Sequence, residues 1–144
     1  MRKKKVLVVE DQKLNRAVLK EILESEYDVL YAVNGKEALD IMNREGRHLS
    51  LVLLDIVMPV MDGYEVLKIM ERRKLLEQIP VLVASQHFGD DSELQALLLG
   101  AGDYVSKPYN PAVLKRRIKN QIRMHEALVQ VTVLEKDPVT GLYN

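Results

Sequence analysis

Leu49-Ser50-Leu51-Val52-Leu53-Leu54-Asp55-Ile56-Val57-Met58-Pro59-Val60-Met61-Asp62-Gly63 is the stretch that decides the fold. It opens as an apolar run of strand length and stops at a carboxylate. A continuous Leu/Val run predicts a strand buried on both faces, as in a parallel sheet covered by helices. Pro59 fixes one backbone angle of the turn that follows, and Asp62-Gly63 closes it. An acid at the end of such a strand stands where open α/β sheets carry their chemistry, outside the carboxyl ends of the strands. The plain alternative is that Asp55 caps a turn or the next helix.

Working outward, the same pattern recurs. Lys5-Val6-Leu7-Val8-Val9 is a short β-branched run that also ends in acids, Glu10-Asp11. From Gln12 to Glu24, Leu14, Val18 and Ile22 recur every four residues, which predicts an amphipathic helix with its charges opposite. Tyr27 to Val33 reads as a second strand. Asn34 then caps a helix running to Gly46, with Glu37 placed as in a capping box. Beyond the opening stretch, Tyr64 to Leu76 is predicted helical with Leu67 and Met70 inward. Ile79 to Ala84 is predicted as a strand ending at Ser85, with Pro80 tolerated near its start. Asp90 or Asp91 caps a helix carrying Leu94, Leu97 and Leu98, which Gly100 ends. Asp103-Tyr104-Val105 is a short fifth strand ending at Ser106-Lys107-Pro108, and Asn110-Pro111 opens a last helix. Five strands alternating with five helices predict a doubly wound α/β sheet with parallel strands.

Composition narrows the function classes. A chain of 144 residues suits one domain. Lys+Arg and Asp+Glu balance at 21 each, so charge gives no reason to expect a nucleic-acid or anionic-membrane partner. Without cysteine there is neither a disulfide framework nor a thiolate metal site. Arg2-Lys3-Lys4-Lys5 and four apolar residues resemble a signal start, but Glu10-Asp11 ends that run too early. No apolar run approaches the roughly 20 residues of a membrane span. A soluble cytoplasmic protein is expected.

The strand ends bring Glu10, Asp11, Asp55, Ser85 and Lys107 to one edge of the sheet. Carboxylates gathered there repel, and burying them unpaired raises their pKa values or costs several kcal/mol, on the order of 2–7 for a polar group alone. A hard divalent cation resolves this, and Mg2+ characteristically takes one or two carboxylates, water and phosphate oxygens. Lys107 supplies a point charge for a phosphate oxygen and Ser85 a hydroxyl. Together these groups suit phosphoryl transfer to Asp55, giving an acyl phosphate. Singly, each has an ordinary reading: a turn lysine, a satisfied hydroxyl, a helix cap.

Residues 3–122 resemble a response-regulator receiver domain of two-component systems. The matching motifs are Val8-Val9-Glu10-Asp11, Leu53-Leu54-Asp55 through Gly63, Val83-Ala84-Ser85, and Gly100 through Pro108. The resemblance implies a flavodoxin-like sheet of order 2-1-3-4-5. It implies Asp55 as phosphoacceptor, served by a histidine kinase or phosphotransfer protein, with Mg2+ held by Glu10, Asp11, Asp55 and the backbone carbonyl of Val57. It further implies Ser85 as the switch hydroxyl, Tyr104 as the switch aromatic, and Lys107 pairing with the phosphoryl group beside an often cis Pro108. On this reading Ser85 moves toward the phosphorylated Asp55, Tyr104 turns inward, and the face of the fourth helix, fifth strand and fifth helix repacks. Gln86 departs from the small residue usual beside the switch serine, and His87 follows it; both bear on how long the phosphate survives. An aspartyl phosphatase would need a second acid two residues after Asp55, where Val57 stands.

The last helix is predicted to run from Pro111 as far as Glu135, about twice the roughly 12 residues needed to cover a short strand. Ile118, Ile122, His125, Val129 and Thr132 or Val133 are spaced as a rough coiled-coil seam, which predicts homodimerisation on phosphorylation. Val129 to Val133 also alternates like a strand. Arg116, Arg117, Lys119 and Arg123 read as a solvated face. Asp137-Pro138-Val139-Thr140-Gly141-Leu142-Tyr143-Asn144 resembles the opening of a GGDEF domain, the catalytic domain of diguanylate cyclases. The expected organisation is a receiver domain over 1–122, a helical linker over 123–136 and the first residues of a GGDEF domain over 137–144. The cyclase motif itself is absent, so this chain is expected to be no enzyme and the intact protein a diguanylate cyclase. The alternative is a stand-alone receiver acting by docking.

Overall fold

A computed structural model describes residues 2–86 and 90–136. The strands are β1 (Lys4–Val9), β2 (Tyr27–Ala32), β3 (Leu49–Asp55), β4 (Val81–Ser85) and β5 (Asp103–Ser106). The helices are α1 (Lys13–Leu23), α2 (Gly35–Glu45), α3 (Gly63–Arg72), α4 (Asp90–Leu98) and α5 (Pro111–Lys136), with a 3-10 turn at Gly46–His48. All strand pairs are parallel and the order is β2-β1-β3-β4-β5. The doubly wound, flavodoxin-like architecture predicted from the alternation is the one observed, with the extended C-terminal helix.

β3 sits at the centre, and each of its residues except Ser50 is buried. Its alternate residues feed two cores. Val52 and Leu54 join Leu7, Val9, Val81 and Val83 against Leu39 and Met42 of α2 and Val66, Leu67 and Met70 of α3. Leu51 and Leu53 join Val6, Val8, Leu82 and Ala84 against Leu19 and Leu23 of α1 and Leu114, Ile118 and Ile122 of α5. Side chains alternate across a strand, so a run apolar at every position needs helices on both faces.

The helix boundaries follow local chemistry. The Asn34 carboxamide oxygen accepts from the Glu37 N–H at 2.8 Å, and Asp62 Oδ1 accepts from the Glu65 N–H at 2.9 Å. Asn110 Oδ1 accepts from Ala112 and Val113 ahead of the proline-led α5. α4 ends as predicted, with Gly100 at φ +112 and the Ala101 N–H returning to the Ala96 carbonyl. α3 is shorter than predicted. Lys74 turns left-handed at φ 59, and the Leu75 N–H bonds back to the Met70 carbonyl at 2.8 Å, closing the helix four residues early and burying Leu75.

On the other helices the facing of side chains differs from a reading of the pattern alone. Leu14 and Val18 are 75% and 41% exposed, while Leu19 and Leu23 face the core with Ile22 at its edge. Two apolar stripes lie side by side on α1, and the sheet covers the one that meets Val6, Val8 and Tyr27. On α4, Leu94, Leu97 and Leu98 are exposed, and Ala96 is the buried contact. Asp91 lies within α4 rather than before it; the side chain of Asp90, and His87, lie outside the described residues. Ile118 and Ile122, the first two positions of the proposed seam, are buried in this domain's own core, because that stretch of α5 covers β3, β4 and β5. His125 bonds through Nε2 with the Glu77 carbonyl at 3.0 Å. The helix continues to Lys136, so the backbone at 129–133 is helical and not a strand. The side chains of Thr132 and Val133, and residues 137–144, lie outside the described residues.

Candidate functional site

Glu10, Asp11, Asp55, Ser85 and Lys107 lie at the carboxyl edge of the sheet. Glu10 and Asp11 follow β1 directly, Asp55 and Ser85 are the last residues of β3 and β4, and Lys107 follows β5. Parallel pairing enforces this: Asp55 stands opposite Ala84, and Ser85 opposite Ser106. Carboxylate oxygens of Glu10, Asp11 and Asp55 lie within 4.8 Å of one another. Lys107 Nζ bridges the cluster, 2.7 Å from Glu10 Oε1 and 3.0 Å from Asp55 Oδ2. Glu10, Asp55, Ser85 and Lys107 are all buried.

The surrounding backbone holds this arrangement. The Val57 N–H donates to Asp55 Oδ1 at 3.4 Å, and the Gln12 N–H to Glu10 Oε2 at 3.1 Å. The Lys107 N–H donates to the Ser85 carbonyl at 2.9 Å, and the Lys107-Pro108 peptide is cis. Gly63 permits the close return of the loop after Asp55. A Cβ there would lie 2.7 Å from the Asp55 carbonyl oxygen and 2.8 Å from Ile56 Cα, while the Gly63 N–H bonds to the Ile56 carbonyl at 2.8 Å. Val60 takes φ 72 at the exposed tip of that loop, a conformation that costs a β-branched residue about 1–3 kcal/mol.

The electrostatics follow from burial and crowding. Burial and the charge of Glu10 push Asp55 from 3.8 up to about 6, against the pull of Lys107. Burial also acts on Glu10, but the hydrogen bonds from Lys107 and the Gln12 amide outweigh it and hold Glu10 below the usual range. Asp11 is raised by burial and by its bond to Glu10, and Lys107 is raised because its two carboxylates outweigh its own burial. Three carboxylates against one ammonium leave a local excess of negative charge. Asp11 Oδ1 is buried without a hydrogen-bond partner among the described residues. An orphan carboxylate oxygen beside two others is the donor set a hard divalent cation takes.

The remaining predicted residues are more distant from the acids. Tyr104, half-buried in β5, pairs with Val83 across the ladder, and its carbonyl accepts from Arg117 Nη1 at 2.9 Å. Gln86 is exposed. Two residues were not singled out from the sequence. Tyr109 packs against the core on the α1 and α5 side of the sheet, and burial together with Glu10 and Asp55 drives its hydroxyl pKa upward. Arg16 of α1 donates to the backbone carbonyls of both Glu10 and Asp11. The available signals were an aromatic beside Lys107-Pro108 and a cation one helical turn past the acid pair.

Known proteins resemble this chain in sequence and in fold. The chain is 34% identical over 139 residues to the alkaline phosphatase synthesis transcriptional regulatory protein PhoP of Bacillus subtilis, covering 96% of this chain and 56% of that protein. It superposes on the Vibrio cholerae chemotaxis protein CheY4 with a TM-score of 0.75 and 26% identity, covering 83% of this chain and 98% of that one. A second structure, of a "probable two-component system response regulator/GGDEF domain protein", matches with a TM-score of 0.78 and 26% identity, over 85% of this chain and 50% of that one. The chain thus spans about half the length of the curated relatives it matches. The family model described as the response regulator receiver domain matches residues 6–119, from the strand that leads to Glu10 into the first part of α5. By that match this chain belongs to the response regulator receiver family.

Proposed function

We propose that Asp55 is the phosphoacceptor of this receiver and that Glu10, Asp11, Asp55 and the Val57 carbonyl hold Mg2+ beside it. The observation that carries this reading is the bridge from Lys107 to both Glu10 and Asp55, with the unpartnered Asp11 oxygen alongside. When bound, Mg2+ offsets the acids' repulsion and the charge of the incoming phosphoryl group. A carboxylate oxygen of Asp55 attacks phosphorus in the phosphohistidine of a kinase or phosphotransfer protein. The P–N bond breaks, its electron pair stays on the ring nitrogen, and imidazole leaves as that nitrogen takes a proton from water. Asp55 must be ionised to attack, and with its pKa near 6 it is largely so at neutral pH. Lys107 is placed to move from the carboxylates to a phosphoryl oxygen, and Ser85 to donate to another. The exposed Leu14 and Val18, on the helix that starts beside the acids, suit the docking of an apolar helix face of the donor.

Phosphorylation then acts through Ser85 and Tyr104 on the face of α4, β5 and α5. Leu94, Leu97, Leu98 and Val113 are already exposed there, which suits pairing with a second copy. For output, residues 137–144 and the likeness to a response regulator/GGDEF protein favour control of a diguanylate cyclase through dimerisation along α5. A second reading is transcriptional output, favoured by relatives that are transcriptional regulators. The balanced charge of this chain therefore does not extend to a whole-protein statement about nucleic acid. A stand-alone receiver is a third reading, suited to the 98% coverage of the chemotaxis protein. The gene sequence past Asn144 separates them: a Gly-Gly-Asp/Glu-Glu-Phe motif, a DNA-binding domain, or a stop codon. The site assignment is tested by Asp55→Asn with a small acyl-phosphate donor and Mg2+. Phosphate incorporation is expected to vanish, and unchanged incorporation would refute it.

A further inference from the structure

The turn between β1 and α1 carries two of the three acids, and within it the Gln12 N–H donates to Glu10 Oε2 at 3.1 Å, which ties a side chain but neither carbonyl of the acid pair. Gln12, at the start of α1, makes no side-chain capping bond. The Glu10 N–H reaches the Ala32 carbonyl at 3.0 Å, which ties down the strand side only. On the helix side the hold is Arg16. Its Nη1 donates to the Glu10 carbonyl and to the Asp11 carbonyl, each at 2.9 Å. One nitrogen thus gathers two successive carbonyls, which fixes the orientation of both peptide planes. The side chains of Glu10 and Asp11 leave that backbone toward Asp55, where their oxygens lie within 4.8 Å of its carboxylate. The half-buried, permanently charged guanidinium suits this place because it keeps its donors at any physiological pH.

We propose that Arg16 is a positioning residue for the divalent cation. Among the described residues its hydrogen bonds go to backbone carbonyls and to no carboxylate oxygen; it holds the turn in the one conformation that presents Glu10 and Asp11 together with Asp55, and so sets cation affinity. This inference rests on the reading of the acid trio as a metal site. Groups that orient metal ligands from behind are typically worth about 10–100-fold in affinity.

The test is Mn2+ binding, as a paramagnetic stand-in for Mg2+, followed by electron paramagnetic resonance of the free ion in the intact chain. Wild type is compared with Arg16→Met, Arg16→Lys and Lys5→Met, with a melting curve for each in the absence of metal. Lys5→Met is the structural control, because it breaks the Lys5–Glu45 pair at the opposite edge of the sheet. Arg16→Met is expected to weaken binding roughly tenfold or more, with Arg16→Lys between it and wild type. Lys5→Met is expected to bind as wild type even if it melts lower. Equal affinity in Arg16→Met and wild type, or an equal loss in Lys5→Met, overturns the inference. If Arg16→Met fails to fold, a folded Arg16→Lys with wild-type affinity overturns it. Absence of Mn2+ and Mg2+ binding by wild type removes the metal reading itself, a result distinct from either.

Discussion

Two lysine–glutamate pairs in this molecule have the same length and opposite meaning. Lys107 Nζ lies 2.7 Å from Glu10, and Lys4 Nζ lies 2.7 Å from Glu126. The first pair is at the carboxyl edge of the sheet with side chains 8% and 1% exposed; the second is at the amino edge with side chains 47% and 54% exposed. In water-exposed pairs, solvent screening and side-chain entropy cancel most of the attraction. In the buried pair each charge depends on its partner, and a third charge, Asp55, shares it. Distance alone says nothing about worth. The buried cluster is poised for chemistry at a cost in stability, and the surface pair ties α5 to β1 at almost no cost.

The comparison breaks most visibly at Lys107. Lys107→Met removes the only cation that bridges Glu10 and Asp55 among the described residues and keeps the length of the side chain. It is expected to destabilise the domain by about 3–5 kcal/mol near pH 7.5, measured by urea unfolding. The loss shrinks toward pH 4 as the acids protonate. Asp55→Asn is expected to do the opposite. Folding raises the Asp55 pKa from 3.8 to about 6, so the folded state holds that proton more tightly than the unfolded one. The ionised carboxylate therefore subtracts up to about 3 kcal/mol above pH 6. Asparagine removes that penalty, so the variant gains stability at pH 7.5, and the gain fades as pH falls from 6 to 4. Adding Mg2+ is expected to narrow the gap by stabilising wild type alone.

A smaller effect sharpens the view that the carboxyl edge stores strain. Val60→Gly relieves the left-handed backbone but loosens the unfolded chain, for a net gain of up to about 1 kcal/mol, read as a rise in melting temperature. The smallest effect is expected at the amino edge. Lys4→Met or Glu126→Gln should change stability by about 0.2–1 kcal/mol, and that change should diminish further at high salt.

The sheet and its chemical edge were legible because both are written in short-range pattern. Over 51–54 β3 is apolar at every position before it stops at Asp55, and β4 ends in Ser85 while Glu10 directly follows β1 and Lys107 directly follows β5. The orientation of α1 was not legible. Leu14-Val18 and Leu19-Leu23 are both apolar stripes, and only the position of β1 and β2 decides which is covered. The facing of α4 was not legible either: its leucines face outward and Ala96 packs inward. The end of α3 depends on Lys74 adopting a left-handed conformation that lysine does not advertise. Arg16 was missed because a long side chain reaching backbone carbonyls leaves no residue pair to recognise. The α5 seam was read too early because Ile118 and Ile122 serve the core of their own chain.

The central claim is that Asp55, and none of the acids around it, takes the phosphoryl group. The direct measurement is to phosphorylate the wild-type chain with a small phosphoramidate donor and Mg2+. Borohydride then reduces the acyl phosphate to a stable alcohol, which peptide mass spectrometry locates. The account predicts the reduced residue at position 55 alone. Reduction at Glu10 or Asp11, or phosphate retained on Ser85, would contradict it.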